Sequence, residues 1–168
     1  VSEGLAVARP RCGVRVAPMT AAEAEELTEL RALLEGHLLA SAFEQLDGAT
    51  LDAAAGTLGH LDTTKDLDRL LILHAAFHER LYAAAGRPKA LDMVRNLRAG
   101  FERYLRHVWR HTDYRAQSSE EHWLLLDHCR RGDRAAALAL LDRHIRATGA
   151  TVVGVLGADA PVSRKTVS

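Results

Sequence analysis

The chain is poor in cysteine, proline and aromatic residues, and neither sign of charge is in excess. Its 168 residues include two cysteines, four prolines, three Phe, three Tyr and two Trp. Cys12 and Cys129 are far apart and form no Cys-x-x-Cys pair. That excludes a disulfide-rich secreted scaffold and implies a reducing, cytoplasmic setting. Lys plus Arg (22) balance Asp plus Glu (22), so the chain carries no basic footprint for nucleic acid. No apolar run approaches the ~20 residues of a membrane span, and no signal-peptide pattern opens the chain, so no membrane partner is expected. The length suits one domain with a sizeable core. The first residue is Val rather than Met, which fits either a chain beginning inside a larger gene product or N-terminal trimming.

What is present is helical periodicity. Residues 1–17 are the exception. Leu5-Ala6-Val7-Ala8 and Val14-Arg15-Val16 flank Arg9-Pro10-Arg11-Cys12-Gly13 and read as a small β-hairpin. Residues 18–157 read as an all-α antiparallel bundle of six or seven helices, and 158–168 as a flexible tail. Thr20 with Glu23, and Ser118 with Glu121, have the spacing of capping boxes. The predicted helices span about 20–45, 49–60, 66–85, 88–111, 118–131 and 134–155. In the first, Leu27, Leu30, Leu34 and Leu38 are expected to face inward. Gly86-Arg87-Pro88 should end the third, and Gly132 the fifth, with Asp133 capping the sixth.

Four histidines fall within the apolar stripes. His74 and His78, four residues apart, share a helix face with Leu70, Leu71, Phe77 and Leu81. His122 is in line with Leu125, Leu126 and Cys129, and His144 with Leu140, Leu141 and Thr148. An imidazole buried without a partner costs about 1–3 kcal/mol. One shared ion would satisfy all four, and periodicity alone leaves that reading open beside separate core histidines. Imidazole nitrogen favours a transition metal such as Zn²⁺ or Ni²⁺ over Ca²⁺ or Mg²⁺. His107 and His111 form a second i, i+4 pair beside the stripe, while His37, His60 and His128 read as surface or edge residues.

These segments resemble a known family. Ala76-Phe77-His78-Glu79-Arg80-Leu81-Tyr82-Ala83-Ala84-Ala85-Gly86 is similar to the D-x-x-F-H-x-x-L-x-x-A-A-G-N segment of the FCD domain, the ligand-sensing domain of GntR-family bacterial repressors. Glu121-His122, then Gly132-Asp133, Ala137 and His144, resembles its E-H…G-D…A…H segment, and Leu30-Arg31-Ala32-Leu33-Leu34-Glu35 its opening L-R-x-x-L-E. The resemblance covers about residues 20–150. Glu3-Gly4-Leu5 through Val16-Ala17-Pro18 resembles the wing hairpin that ends a winged helix-turn-helix domain. Residues 1–17 are thus expected to be the remnant of a truncated DNA-binding domain.

The resemblance implies a regulator rather than an enzyme. The family's metal ligands, an Asp and three His, correspond to His74, His78, His122 and His144, with His74 in the place of the Asp. It implies one divalent ion, Zn²⁺ or Ni²⁺, and a small carboxylate effector on an open coordination position. Arg31 and Arg98 lie on the inner lines of their helices and are candidate clamps for that carboxylate, Arg31 having a rim pair with Glu35 as its alternative and Arg98 a solvated flank. Arg103, Arg106, Arg110 and Arg115 read as a solvated basic edge. A homodimer is implied, with DNA contacted only through the missing N-terminal domain. The alternatives are a hydrolase-like metal bundle and a metal-free sensor. Hydrolysis needs a positioned base, and Glu79 and Glu121 are both expected to point away from the histidines.

Overall fold

The computed structural model describes residues 6–9, 13–16 and 18–159, with side chains from 18 to 158. β1 (Ala6–Arg9) and β2 (Gly13–Val16) pair antiparallel, with Val7 opposite Arg15. The turn between them, the side chains of Arg9, Arg11 and Arg15, and residues 160–168 of the expected tail lie outside the described residues.

Six helices follow: α1 (Ala21–Ala42), α2 (Gly48–Thr63), α3 (Leu67–Tyr82), α4 (Pro88–His111), α5 (Tyr114–Arg130) and α6 (Arg134–Asp159). Single 3-10 turns extend α1 over Phe43–Gln45 and α3 over Ala83–Ala85. Local chemistry sets most boundaries. Asp47 and Asp66 accept the backbone N–H of Thr50 and Arg69 at 2.7 Å, starting α2 and α3. Gly86 takes φ 63° where the chain turns toward Pro88, the first residue of α4. Gly132 at φ 71° ends α5, and Asp133 accepts the Ala136 N–H at 3.0 Å to open α6.

Neither expected capping box forms in full. Thr20 Oγ1 accepts the Glu23 N–H at 3.2 Å, but the Glu23 carboxylate turns to Tyr104 and Arg103 on α4 instead of reaching back. Ser118 is buried one turn inside α5, because the helix starts at Tyr114, whose N–H is held by Thr112 Oγ1. α6 also runs past the expected end near 155.

α1 packs along α6 and α4, while α2 covers α3 and α5. Gly149 marks the crossing of α1 and α6, where an added Cβ would stand 2.9 Å from the Thr28 Cβ. Two large apolar clusters, with a small third of Leu61, Leu70 and Leu73, fill the interior. One gathers Leu38, Phe77, Leu81, Leu126, Leu141 and Ile145, the other Leu71, Phe101, Leu105, Val108 and Val152. Burying such a side chain stabilises the fold by about 1.5–3 kcal/mol. The face of α1 is the clear departure. Its buried line is Ala24, Thr28, Arg31, Glu35, Leu38 and Ala42, whereas Leu30 is 40% exposed and Leu27 and Leu34 are half-buried. The helix is turned by about one residue, roughly 100°, from the leucine line.

Candidate metal centre

The histidines converge between the two clusters. His74 and His78 rise from α3, His122 from α5 and His144 from α6, all at most 6% exposed. Each offers one ring nitrogen, and the four nitrogens lie within 4.8 Å of one another. Phe77 packs on the rings of His78 and His122, and Trp109 on that of His74.

The donor set fits a transition ion. His78 Nε2 and His122 Nε2 are 3.1 Å apart, a separation that one ion with metal–N bonds of ~2.1 Å can span. The outer nitrogens of two rings are held as metal ligands require. His78 Nδ1 lies 3.1 Å from the Tyr82 hydroxyl, which itself donates to Glu35 Oε2 at 2.8 Å. The ring proton of His78 therefore sits on Nδ1, leaving the Nε2 lone pair toward the cluster. His144 Nδ1 is 2.6 Å from Glu121 Oε2, which orients that ring in the same sense. His122 Nδ1 is buried with no hydrogen-bond partner among the described residues. Burial first, then the nearby positive charge of Arg98 and neighbouring histidines, holds His74 and His78 well below the ordinary imidazole range. Burial, His144 and Arg98 do the same for His122. Neutral imidazole is the form that binds metal.

His74 differs from the others. Arg98 Nη2 lies 3.3 Å from its Nδ1, and a guanidinium can only donate. A neutral imidazole has one free lone pair. It serves Arg98 or an ion, not both.

Behind the histidines lies a buried ionic knot. Glu35 is 0% exposed and accepts Arg31 Nε on Oε1, and Arg98 Nη1 and the Tyr82 hydroxyl on Oε2, each at 2.8 Å. Burial alone would raise its pKa, but Arg98 and Arg31 outweigh that and hold it below the usual carboxylate range. The expected rim pair of Arg31 and Glu35 is thus a core pair. The Arg31 guanidinium also stacks on Phe101, 4.6 Å from the ring centroid. Arg98 is 12% exposed at its side chain, and its buried Nε has no partner among the described residues. Both arginines line a cavity of about 220 Å³ between α1, α3 and α4, and His74 is the one histidine that reaches it.

Several sequence expectations change here. Glu121 faces inward onto His144, and α5–α6 packing, which no helix pattern encodes, brings the two together. Glu79 does point away and pairs with Arg95. Glu35 was missed as a site residue, although Ala24, Thr28, Arg31, Glu35, Leu38 and Ala42 follow the 4-3-4-3-4 spacing of an inner stripe. Arg115 is not a solvated edge residue. It donates to the carbonyls of Leu61 and Thr64 and closes the end of α2. Arg103 is paired with Glu23, and Arg106 with Asp68 and Glu102. His107 and His111 stack at 4.5 Å between ring centroids but stand outside the metal-capable group.

Comparison with known proteins agrees with this architecture. The sequence matches the FCD domain family over residues 26–147, and the chain belongs to that family. Among solved structures, it is similar to a GntR-family transcriptional regulator from Pseudomonas syringae pv. tomato, with TM-score 0.73 and 25% identity over 94% of this chain and 67% of that one. It shares the fold of E. coli McbR/YncC, with TM-score 0.82 and 18% identity over 92% of this chain and 79% of that one. The same holds for Lar of Listeria monocytogenes, with TM-score 0.72 and 12% identity over 92% and 75%. No curated protein sequence matches the chain. The domain is therefore an effector-sensing regulatory domain of the GntR type, and its family and structural neighbours are transcriptional regulators rather than enzymes. Among the described residues, no helix is long and apolar enough to cross a membrane.

Proposed function

We propose that this domain senses a small carboxylate through one divalent transition ion, Zn²⁺ or Ni²⁺, held by His74, His78, His122 and His144. The observation that carries the reading is the convergence of four buried imidazole nitrogens within 4.8 Å. When bound, the ion supplies a Lewis-acidic position for an anion. The protein supplies the second handle. Ligation by His74 removes its lone pair from Arg98, so Arg98 Nη2 and the partnerless Nε become available to a carboxylate. Arg31 holds Glu35 and thereby positions Arg98, rather than gripping the effector itself. Two carboxylates, Glu35 and Glu121, face two guanidiniums and a divalent ion, so the loaded centre attracts an anion.

A hydrolytic reading is less well supported. Near the histidines, Glu35 is held by three donors and Glu121 by His144, and Glu79 is tied to Arg95. None is free to act as a base. In the intact regulator, the bundle packing favoured by effector would set the spacing of two N-terminal DNA-binding domains in a cytoplasmic dimer. β1 and β2 would be the remnant of that domain's wing.

Elemental analysis of protein purified without a tag or added metal tests the centre. About one transition-metal equivalent is expected, with loss of that metal in His122→Ala. Saturation at 100 times Kd should stabilise the fold by about 2.7 kcal/mol. Unchanged metal content in the variant overturns the four-histidine centre. Arg98→Ala should keep the metal and weaken carboxylate binding, and Arg31→Ala should destabilise the fold more than it weakens binding.

A further inference from the structure

We infer that the effector is a monocarboxylate with a small apolar body. The inference rests on the carboxylate-sensing reading above and narrows it to one chemical class. Charge in the cavity is the first reason. Arg31 is taken up by Glu35 and Phe101, so Arg98, whose buried Nε has no partner among the described residues, is the guanidinium left to hold one carboxylate. At the wall, Glu79 pairs with Arg95, and Arg95 also holds Asp92. Glu102 pairs with Arg106. A second carboxylate on the effector would meet acids and cations already paired with each other, and aliphatic side chains.

The second reason is the lining beyond Arg98. Leu71, Leu91, Val94, Ala99, Phe101 and Leu105 form the wall. Leu71, Val94, Phe101 and Leu105 are all at most 6% exposed. No hydroxyl or amide side chain other than Tyr82 lines the cavity, and the Tyr82 hydroxyl already donates to Glu35. A polyhydroxylated acid would set hydroxyls against leucine and phenylalanine, with partners only at the exposed rim of Glu79, Arg95 and Glu102. A wall of this kind selects a hydrocarbon body. The cavity volume, about 220 Å³, limits the effector to a small body beside its carboxylate.

The test uses the whole chain loaded with zinc, with metal content measured before and after each titration. Octanoate and phenylacetate, each with a seven-carbon body, are compared in thermal melts with succinate and malate, and with octanamide and phenylacetamide. The expected result is an increase in Tm with either monocarboxylate at millimolar concentration, at least three times that given by the dicarboxylates or amides. Ala99→Leu narrows the cavity from a position outside the core and should reduce the monocarboxylate shift several-fold with zinc unchanged. Larger shifts with succinate or malate overturn the inference and leave the metal-carboxylate reading standing. Equal shifts with acids and amides overturn it as well, since the charge then plays no part. No shift with any ligand while zinc stays at one equivalent also overturns it. Absence of zinc binding is the separate failure of the underlying reading.

Discussion

Replacing Glu35 by Gln removes one charge from the middle of the bundle and changes its volume hardly at all. The carboxylate is 0% exposed and accepts from Arg31, Arg98 and Tyr82. The amide keeps one acceptor oxygen and turns an NH₂ group toward at least one guanidinium, which can only donate. Breaking a buried ion pair from one side costs about 3–5 kcal/mol, and for a protein of this size each kcal/mol moves Tm by about 2–4 °C. A loss on the order of 10 °C is therefore expected. Urea unfolding of metal-free protein is the assay, because bound metal would mask part of the loss. The difference should also depend on pH. The folded pKa of Glu35 is depressed, so its stabilisation is complete above the unfolded value near ~4.3 and fades as pH falls through the folded one. Wild type and Glu35→Gln should converge in acid. A difference below about 1 kcal/mol at pH 7 would refute the reasoning, because it would mean that the two arginines find water when Glu35 is gone. Replacing Arg31, Glu35 and Arg98 together by apolar residues of similar size should recover most of the loss while abolishing anion binding.

Gly149→Ala should destabilise by about 1–3 kcal/mol through overpacking, since the new Cβ meets Thr28, whose hydroxyl is fixed on the Ala24 carbonyl at 2.6 Å. Thr28→Ala in the same chain removes the Oγ1 and Cγ2 contacts but keeps the Cβ at 2.9 Å, so it should restore part of the Tm, and no recovery would place the strain elsewhere. Burial pushes the Cys129 thiol up to about 11, so in a Cys12→Ser chain the native protein at pH 8 should resist alkylation for far longer than the urea-unfolded protein. The same raised value makes its contribution complete below the unfolded thiol pKa, near ~8.5, and lost as pH rises through about 11. Rapid labelling of folded protein would contradict its burial.

Local chemistry made much of this domain legible from its sequence. Gly86 and Gly132 stop helices because each must adopt positive φ, and Asp133 opens α6 through its own side chain. The inner line Leu140, Leu141, His144, Ile145 and Thr148 is buried as its 3.6-residue period requires. His74 and His78 share a face for the same reason, and all four histidines lie inward. Those features depend on residues a few positions apart on one helix. Tertiary structure decided the rest. The rotation of α1 was ambiguous because leucines and the polar stripe Thr28, Arg31 and Glu35 offered competing faces one residue apart. Only packing against α4 and α6, with a carboxylate to neutralise two guanidiniums, made the charged face the buried one. Glu121 meets His144 across two helices, and Tyr82 links His78 to Glu35 across two others. Periodicity fixes which face of a helix is buried, but it does not say which side chain of another helix will be opposite.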